Sequence, residues 1–106
     1  MNRTFHVFAV RLDAAVMTKP TFKAKNPGCA PGQPCYFIGS SQHEPERAFQ
    51  EHKSGEDASA WVREHGLYLS KARCFTISAR NREESRQAVA SYADELRAAG
   101  CAVCHD

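Results

Sequence analysis

Apolar residues run almost continuously through the first strand-length segment of the chain. Thr4–Leu12 reads TFHVFAVRL, rich in aromatic and β-branched side chains, and predicts a pleated, largely buried first strand. Counting by twos sets His6, Phe8 and Val10 on one face and Phe5, Val7 and Ala9 on the other. Asp13 is placed to cap a short turn through Met17. Thr18–Gln33 then holds three prolines and two glycines and predicts a long loop carrying Lys19, Lys23 and Lys25. Cys35–Ile38 is a short apolar run that stops at Gly39, as a strand buried on both faces would.

Helical spacing takes over after Pro45, where Ala48, Phe49 and His52 recur before Gly55. A second helix is expected over Glu56–His65, with Ala58, Trp61, Val62 and His65 on one stripe and Gly66 at its end. Cys74–Ser78 reads as a third strand. Asn81 followed by Glu84 has capping-box spacing, opening a helix whose inner stripe is Ser85, Ala88, Val89, Tyr92, Leu96 and Ala99 and whose stop is Gly100. With no internal repeat and no linker, the pattern predicts one α+β domain spanning residues 1–106.

Composition narrows the function classes. Fourteen Lys and Arg against 12 Asp and Glu leave a formal charge of +2, too balanced for a wholesale nucleic-acid coat or a polybasic membrane anchor, so any electrostatic contact is a local patch. The five cysteines lack the spacing of a secreted disulfide framework and fit reduced thiols in a cytoplasmic protein. Neither a secretory signal nor the ~20-residue apolar run of a membrane span is expected.

The segments HVFAVRLD, CYFIGSS and PERAFQEHKSG, followed by WVREHGLYL and LRAAGCAV, resemble the small bacterial branch of the GIY-YIG nuclease family over nearly the whole chain. The resemblance implies a three-stranded antiparallel sheet flanked by helices, and a cleft where a tyrosine, an arginine and a metal-binding glutamate cut a phosphodiester. In that chemistry a phenol or activated water attacks, a guanidinium neutralises phosphate charge, and a carboxylate fixes a divalent ion such as Mg or Mn. Carried over by position, the two tyrosines fall on Phe8 and Phe37, and the glutamate falls on Val89. Tyr36 points to the opposite face from Phe37 and does not substitute. The arginine falls on Ala48 when aligned on Phe49 and His52, or on Arg47 when counted from Gly39. Ala48 is favoured because Arg47 sits about 100° round the helix. Glu83 and Glu84 lie more than a turn from Val89 and read as helix-capping acids. His52 alone of the family's cleft residues is plainly retained.

Remaining polar residues suggest further roles. His6 and His52 are candidates for a replacement base or metal pair, with Arg47 as the third candidate catalytic group, although a packing role is the commoner one for a strand histidine. Lys19, Lys23, Lys25 and Lys53, with Arg80, Arg82 and Arg86, are candidate phosphate contacts. Trp61 and Tyr68 offer base-stacking surfaces, Trp61 being assigned to the core instead. Cys101-Ala-Val-Cys104-His105 matches the c-type haem signature, and with Cys74 it contains zinc-type ligands; ordinary thiols are the favoured reading and no cofactor is expected. Three functions follow: a non-catalytic domain that binds DNA or RNA or regulates, an active metal-dependent endonuclease using the substituted residues, or an inhibitor or adaptor that binds a protein partner.

Overall fold

The computed structural model describes residues 2–29, 32–55 and 59–105. Strand β1 (Arg3–Leu12) is followed by a 3-10 turn (Ala14–Thr18), α1 (Pro20–Lys25), β2 (Cys35–Ser41), α2 (Pro45–Ser54), α3 (Ala60–His65), β3 (Gly66–Leu69), a second 3-10 turn (Lys71–Arg73), β4 (Phe75–Ala79), α4 (Arg82–Ala98) and β5 (Ala102–His105). The fold is α+β, a mixed five-stranded sheet covered on one face by α1, α2 and α3 and on the other by α4. Among the described residues, no helix is long and apolar enough to cross a membrane.

β1 is the organising strand. It pairs antiparallel with β2 along one side, and on its other side β4 and β3 lie end to end, against Arg3–Val7 and Val10–Leu12 respectively. The alternation along β1 sorts the core into two clusters. Phe8, Val10 and Leu12 pack with Phe22, Phe37, Ala48 and Val62, while Val7 and Ala9 pack with Tyr36, Ile38, Val89, Ala93 and Leu96. Burying each of the large apolar side chains stabilises the fold by about 1.5–3 kcal/mol.

Two strands that the sequence pattern does not predict enlarge the sheet. β3 follows Gly66, which ends α3 in an extended conformation and so starts a strand instead of a loop. β5 runs parallel to β2, making the sheet mixed where the resemblance implies an antiparallel one. Both are four residues long, too short to display a period of two. β2 continues through Gly39 to Ser41 because Gly39 lies opposite Phe8, and a Cβ there would stand 2.7 Å from the Phe8 ring and 3.1 Å from the Phe37 ring. The glycine lets the two phenyl groups close over the strand.

The expected loop over Thr18–Gln33 contains a helix. Pro20 occupies the first turn of α1, where a missing N–H costs nothing, and Phe22 is driven into the core at 0% exposure. Just beyond α1, Asn26 is 4% exposed and locks the outer edge of β5. Its Oδ1 accepts from Val103 N at 2.8 Å and from Arg97 Nε at 3.1 Å, its Nδ2 donates to Phe22 O at 2.9 Å, and Arg97 Nη2 donates to Val103 O at 2.9 Å. These side chains satisfy backbone groups that an open edge leaves available for pairing.

Pro45 opens α2 and Gly55 closes it at φ +90°, as expected from the sequence. The start assigned to the next helix, including Ala58, lies partly outside the described residues; α3 itself is seen from Ala60 with Val62 buried. In α4 the Glu84 amide donates to Asn81 Oδ1 at 2.9 Å while Glu84 Oε1 accepts from Arg80 N at 3.0 Å, a capping box shifted by one residue. Its buried stripe is Ser85, Val89, Ala93 and Leu96, with Ala99 exposed beyond the end.

Candidate functional site

Phe8, from the centre of β1, and Phe37, from β2, face the α2 side of the sheet, where the rings stand 6.2 Å apart. The His52 imidazole, one turn beyond Ala48 on α2, packs 5.6 Å from Phe8 and 5.4 Å from Phe37. Phe8 is 0% and Phe37 1% exposed, and Ala48 closes the same cluster. Four of the five positions carried over from the resemblance, Phe8, Phe37, Ala48 and His52, stand together, and what they form is a filled piece of core. His52 Nδ1 accepts the backbone N–H of Ser59 at 2.9 Å, so this ring ties the entry to α3 onto α2.

Val89 is in a different place. It belongs to the cluster on the α4 face, across the sheet from Phe8 and Phe37. The carried-over glutamate position thus does not complete the phenyl cluster. The residues do not suit the divalent ion that the resemblance implies: Mg or Mn takes oxygen ligands, whereas Phe8, Phe37, Ala48 and Val89 contribute only hydrocarbon. Among the described residues no group of three or more His, Cys, Asp or Glu is arranged to hold a metal ion.

His6 and Arg47, the other candidate catalytic side chains, each stand beside an acid of α2 or its cap. His6 shares the Phe8 face and stands 4.0 Å from Glu44 at the head of α2. Arg47 is exposed and pairs with Glu51 at 3.5 Å, while His43 Nδ1 holds the same carboxylate at 2.7 Å. Lys53 donates to the Gly66 carbonyl at 3.0 Å, joining α2 to the start of β3.

The predicted basic residues divide between the two ends of the sheet. Lys19, Lys23 and Lys25 belong to α1 and its cap, beyond the Leu12 end of β1; α4 starts beyond β4, whose Ala79 pairs with Arg3 at the other end. Eight residues of strand separate Arg3 from Arg11, about 26 Å. They do not form one rim. Arg80 is neutralised by Glu84, with Nε 2.6 Å from Oε2. The Arg80 amide first, and its guanidinium second, hold the Glu84 carboxyl below its usual range.

Arg82 and Arg86 behave differently. Arg82 lines a cavity of about 240 Å³ with Arg3, Ser40, Ser41 and His43, and a narrow crevice beside it runs between Gly39, Arg86 and Val89. Among the described residues, Arg3, Arg82 and Arg86 have no carboxylate partner, in contrast to Arg47, Arg80 and Arg97. Comparisons with protein-family models, with curated proteins and with solved structures found no match for this chain. Arg3, Ser40, Ser41 and His43 give no signal in the sequence because the apolar run stops at Gly39; the continued β1–β2 register, with His6 opposite Ser41, is what carries the serines toward Arg3.

The cysteine motif separates in the fold. Cys101 belongs to the cluster on the α4 face and Cys104 to the one on the opposite face, so the two sulfurs do not converge on a haem or a metal. Burial, then the neighbouring Cys29, pushes the Cys35 thiol up, and burial also raises that of Cys74. Trp61 packs edge-on against Phe22 with centroids 5.3 Å apart, as a core residue, whereas Tyr68 is half exposed.

Proposed function

We propose that this chain is a degenerate GIY-YIG-like domain that binds nucleic acid without cutting it. The observation that carries the reading is the division of labour across the sheet. The positions assigned to attack are occupied by two buried phenyl rings, while three arginines with no ion partner among the described residues gather where β1 begins, β2 ends and α4 starts. A phenyl ring has no proton to give and no lone pair to offer a cation. Loss of even one transition-state donor commonly costs 100- to 1,000-fold in rate, about 2.7–4 kcal/mol, and here both attacking group and metal ligand are absent from their assigned positions. Unneutralised guanidinium groups beside hydroxyls, by contrast, suit phosphate oxygens.

The test pairs binding with cleavage. Labelled DNA and RNA titrated with the protein are expected to bind with an affinity that falls steeply as salt rises. Supercoiled plasmid incubated with the same preparation and magnesium or manganese is expected to stay intact. Nicking that disappears in a His52→Ala variant would establish the active endonuclease instead.

A second reading has one observation in its favour. The outer side of β3 and β4 exposes Leu67, Tyr68 and Phe75 at 54%, 51% and 40%, whereas the β5 edge is covered by Asn26 and Arg97. A protein partner adding to that edge would make the chain an adaptor. Retention of a partner together with no nucleic-acid binding at low salt selects this reading.

A further inference from the structure

The Arg3–Arg82 cavity has a shape and a donor set that go beyond general affinity for a phosphate backbone. Phe5, 5% exposed, lines it together with groups from three separate elements: Arg3 on β1, Ser40 and Ser41 on β2, and Arg82 in the first turn of α4. At about 240 Å³ it lies below the ~300–1,000 Å³ of pockets for drug-sized ligands, a size for one phosphate and part of its sugar.

The hydrogen bonds around it determine which groups are available. Ser85 Oγ donates to Arg82 O at 2.8 Å, so its single proton is used, and the 3.1 Å contact between Ser40 Oγ and Ser85 Oγ is a donation from Ser40. Ser41, opposite His6 in the register, turns its side chain to the other face from Ser40, where its Oγ accepts from His43 N at 3.0 Å. The cavity's lining therefore carries two guanidinium forks, from Arg3 and Arg82, beside the Gln42 amide and the His43 ring. No described residue of its lining is a carboxylate, and Glu51, the acid tied to His43, is held by both His43 and Arg47.

We propose that this cavity receives a phosphate monoester, the dianion at the end of a nucleic-acid strand. Two fixed positive charges match a terminal phosphate, which carries about −1.5 to −2 at neutral pH, better than an internal phosphodiester with its single charge. The inference rests on the nucleic-acid reading above for the source of the phosphate, since free phosphate and a nucleoside monophosphate share the recognised chemistry.

Fluorescence anisotropy separates these cases, using a short single strand with a 5′-phosphate, a 3′-phosphate or hydroxyls at both ends. Inorganic phosphate and a nucleoside 5′-monophosphate serve as competitors. One phosphorylated end is expected to bind about tenfold or more tightly than the hydroxyl strand. That advantage should vanish in the Arg3→Gln, Arg82→Gln double variant, whose folding is checked by circular dichroism. Equal binding of all three strands overturns the end-recognition site and leaves the nucleic-acid reading intact, as does an advantage that survives in the double variant. Binding of inorganic phosphate or the monophosphate alone, lost in the double variant, keeps the cavity's phosphate chemistry and removes the nucleic-acid reading. No binding of any probe overturns both.

Discussion

The phenyl cluster at the middle of β1 and the arginine cluster at the strand's start have opposite chemistry. On the α2 side, Phe8, Phe37, Ala48 and His52 interlock, with Phe8, Phe37 and Ala48 at 3% exposure or less and the imidazole Nδ1 taken by a backbone amide. Near the start of α4, Arg3, Arg82 and Arg86 carry charge that no carboxylate among the described residues offsets. Solvation explains why the two differ: a phenyl ring is stabilised by leaving water, whereas an unpaired guanidinium is tolerated only where water or a ligand reaches it. A filled core keeps a fold standing, and free charge is what a ligand needs.

The comparison breaks most readily at the phenyl cluster. Phe8→Ala or Phe37→Ala is expected to destabilise the protein by about 3–5 kcal/mol in urea unfolding, from lost burial plus the cavity left behind. A loss near zero would mean that the site is open and that its assignment to the core fails. Introducing phenols is the sharper variant: Phe8→Tyr with Phe37→Tyr buries hydroxyls in an apolar cluster, costing about 1–3 kcal/mol each if they find no partner, and yields no plasmid nicking.

Asn26 gives a control remote from both regions. Asn26→Ala leaves the Val103 N–H and the Phe22 carbonyl without their side-chain partner and is expected to cost about 1–3 kcal/mol in the same unfolding assay, without changing nucleic-acid affinity. At the other region the pattern inverts. Arg82→Ala and Arg86→Ala are expected to change stability by no more than about 0.5 kcal/mol, as exposed side chains do. Binding should weaken in both, and the log–log salt dependence should flatten by about 0.7–0.9 for each phosphate that the variant no longer neutralises.

The smallest effect concerns the cap of α4. The Arg80 amide and guanidinium hold the Glu84 carboxyl below its usual range, so the folded form favours the ionised acid. Its contribution is present above the unfolded-state value and is lost as pH falls through the lower folded value. Glu84→Gln should therefore lower the melting temperature slightly at neutral pH, and thermal melts of variant and parent should converge in acid.

What the sequence discloses and what it conceals have physical causes. β1, α2 and α4 are legible because each is long enough to show its period, and because Pro45, Gly55, Asn81 and Gly100 mark their ends. β3 and β5 are not, since four residues do not display a period and both depend on pairing with β1 or β2 for their existence. α1 is hidden by prolines at 20, 27 and 31 that bracket a single turn and a half anchored by Phe22. The phenyl cluster comes from the resemblance, whose positions Phe8, Phe37, Ala48 and His52 lie on three well-marked elements. The cationic cavity is not legible, because Arg3 is an isolated charge at the start of a strand and reaches Ser41 and Arg82 only through sheet register and the return of α4.

The location of the working surface is tested most directly by amide chemical-shift mapping of the isotope-labelled protein during titration with a short oligonucleotide. Shifts confined to Arg3, Ser40–His43 and the first turns of α4 through Arg86, with His52 and Ala48 unmoved, are the expected result. Shifts centred on His52 and the amides around Phe8 and Phe37, or on Lys19–Lys25 at the far end of the sheet, would contradict the account.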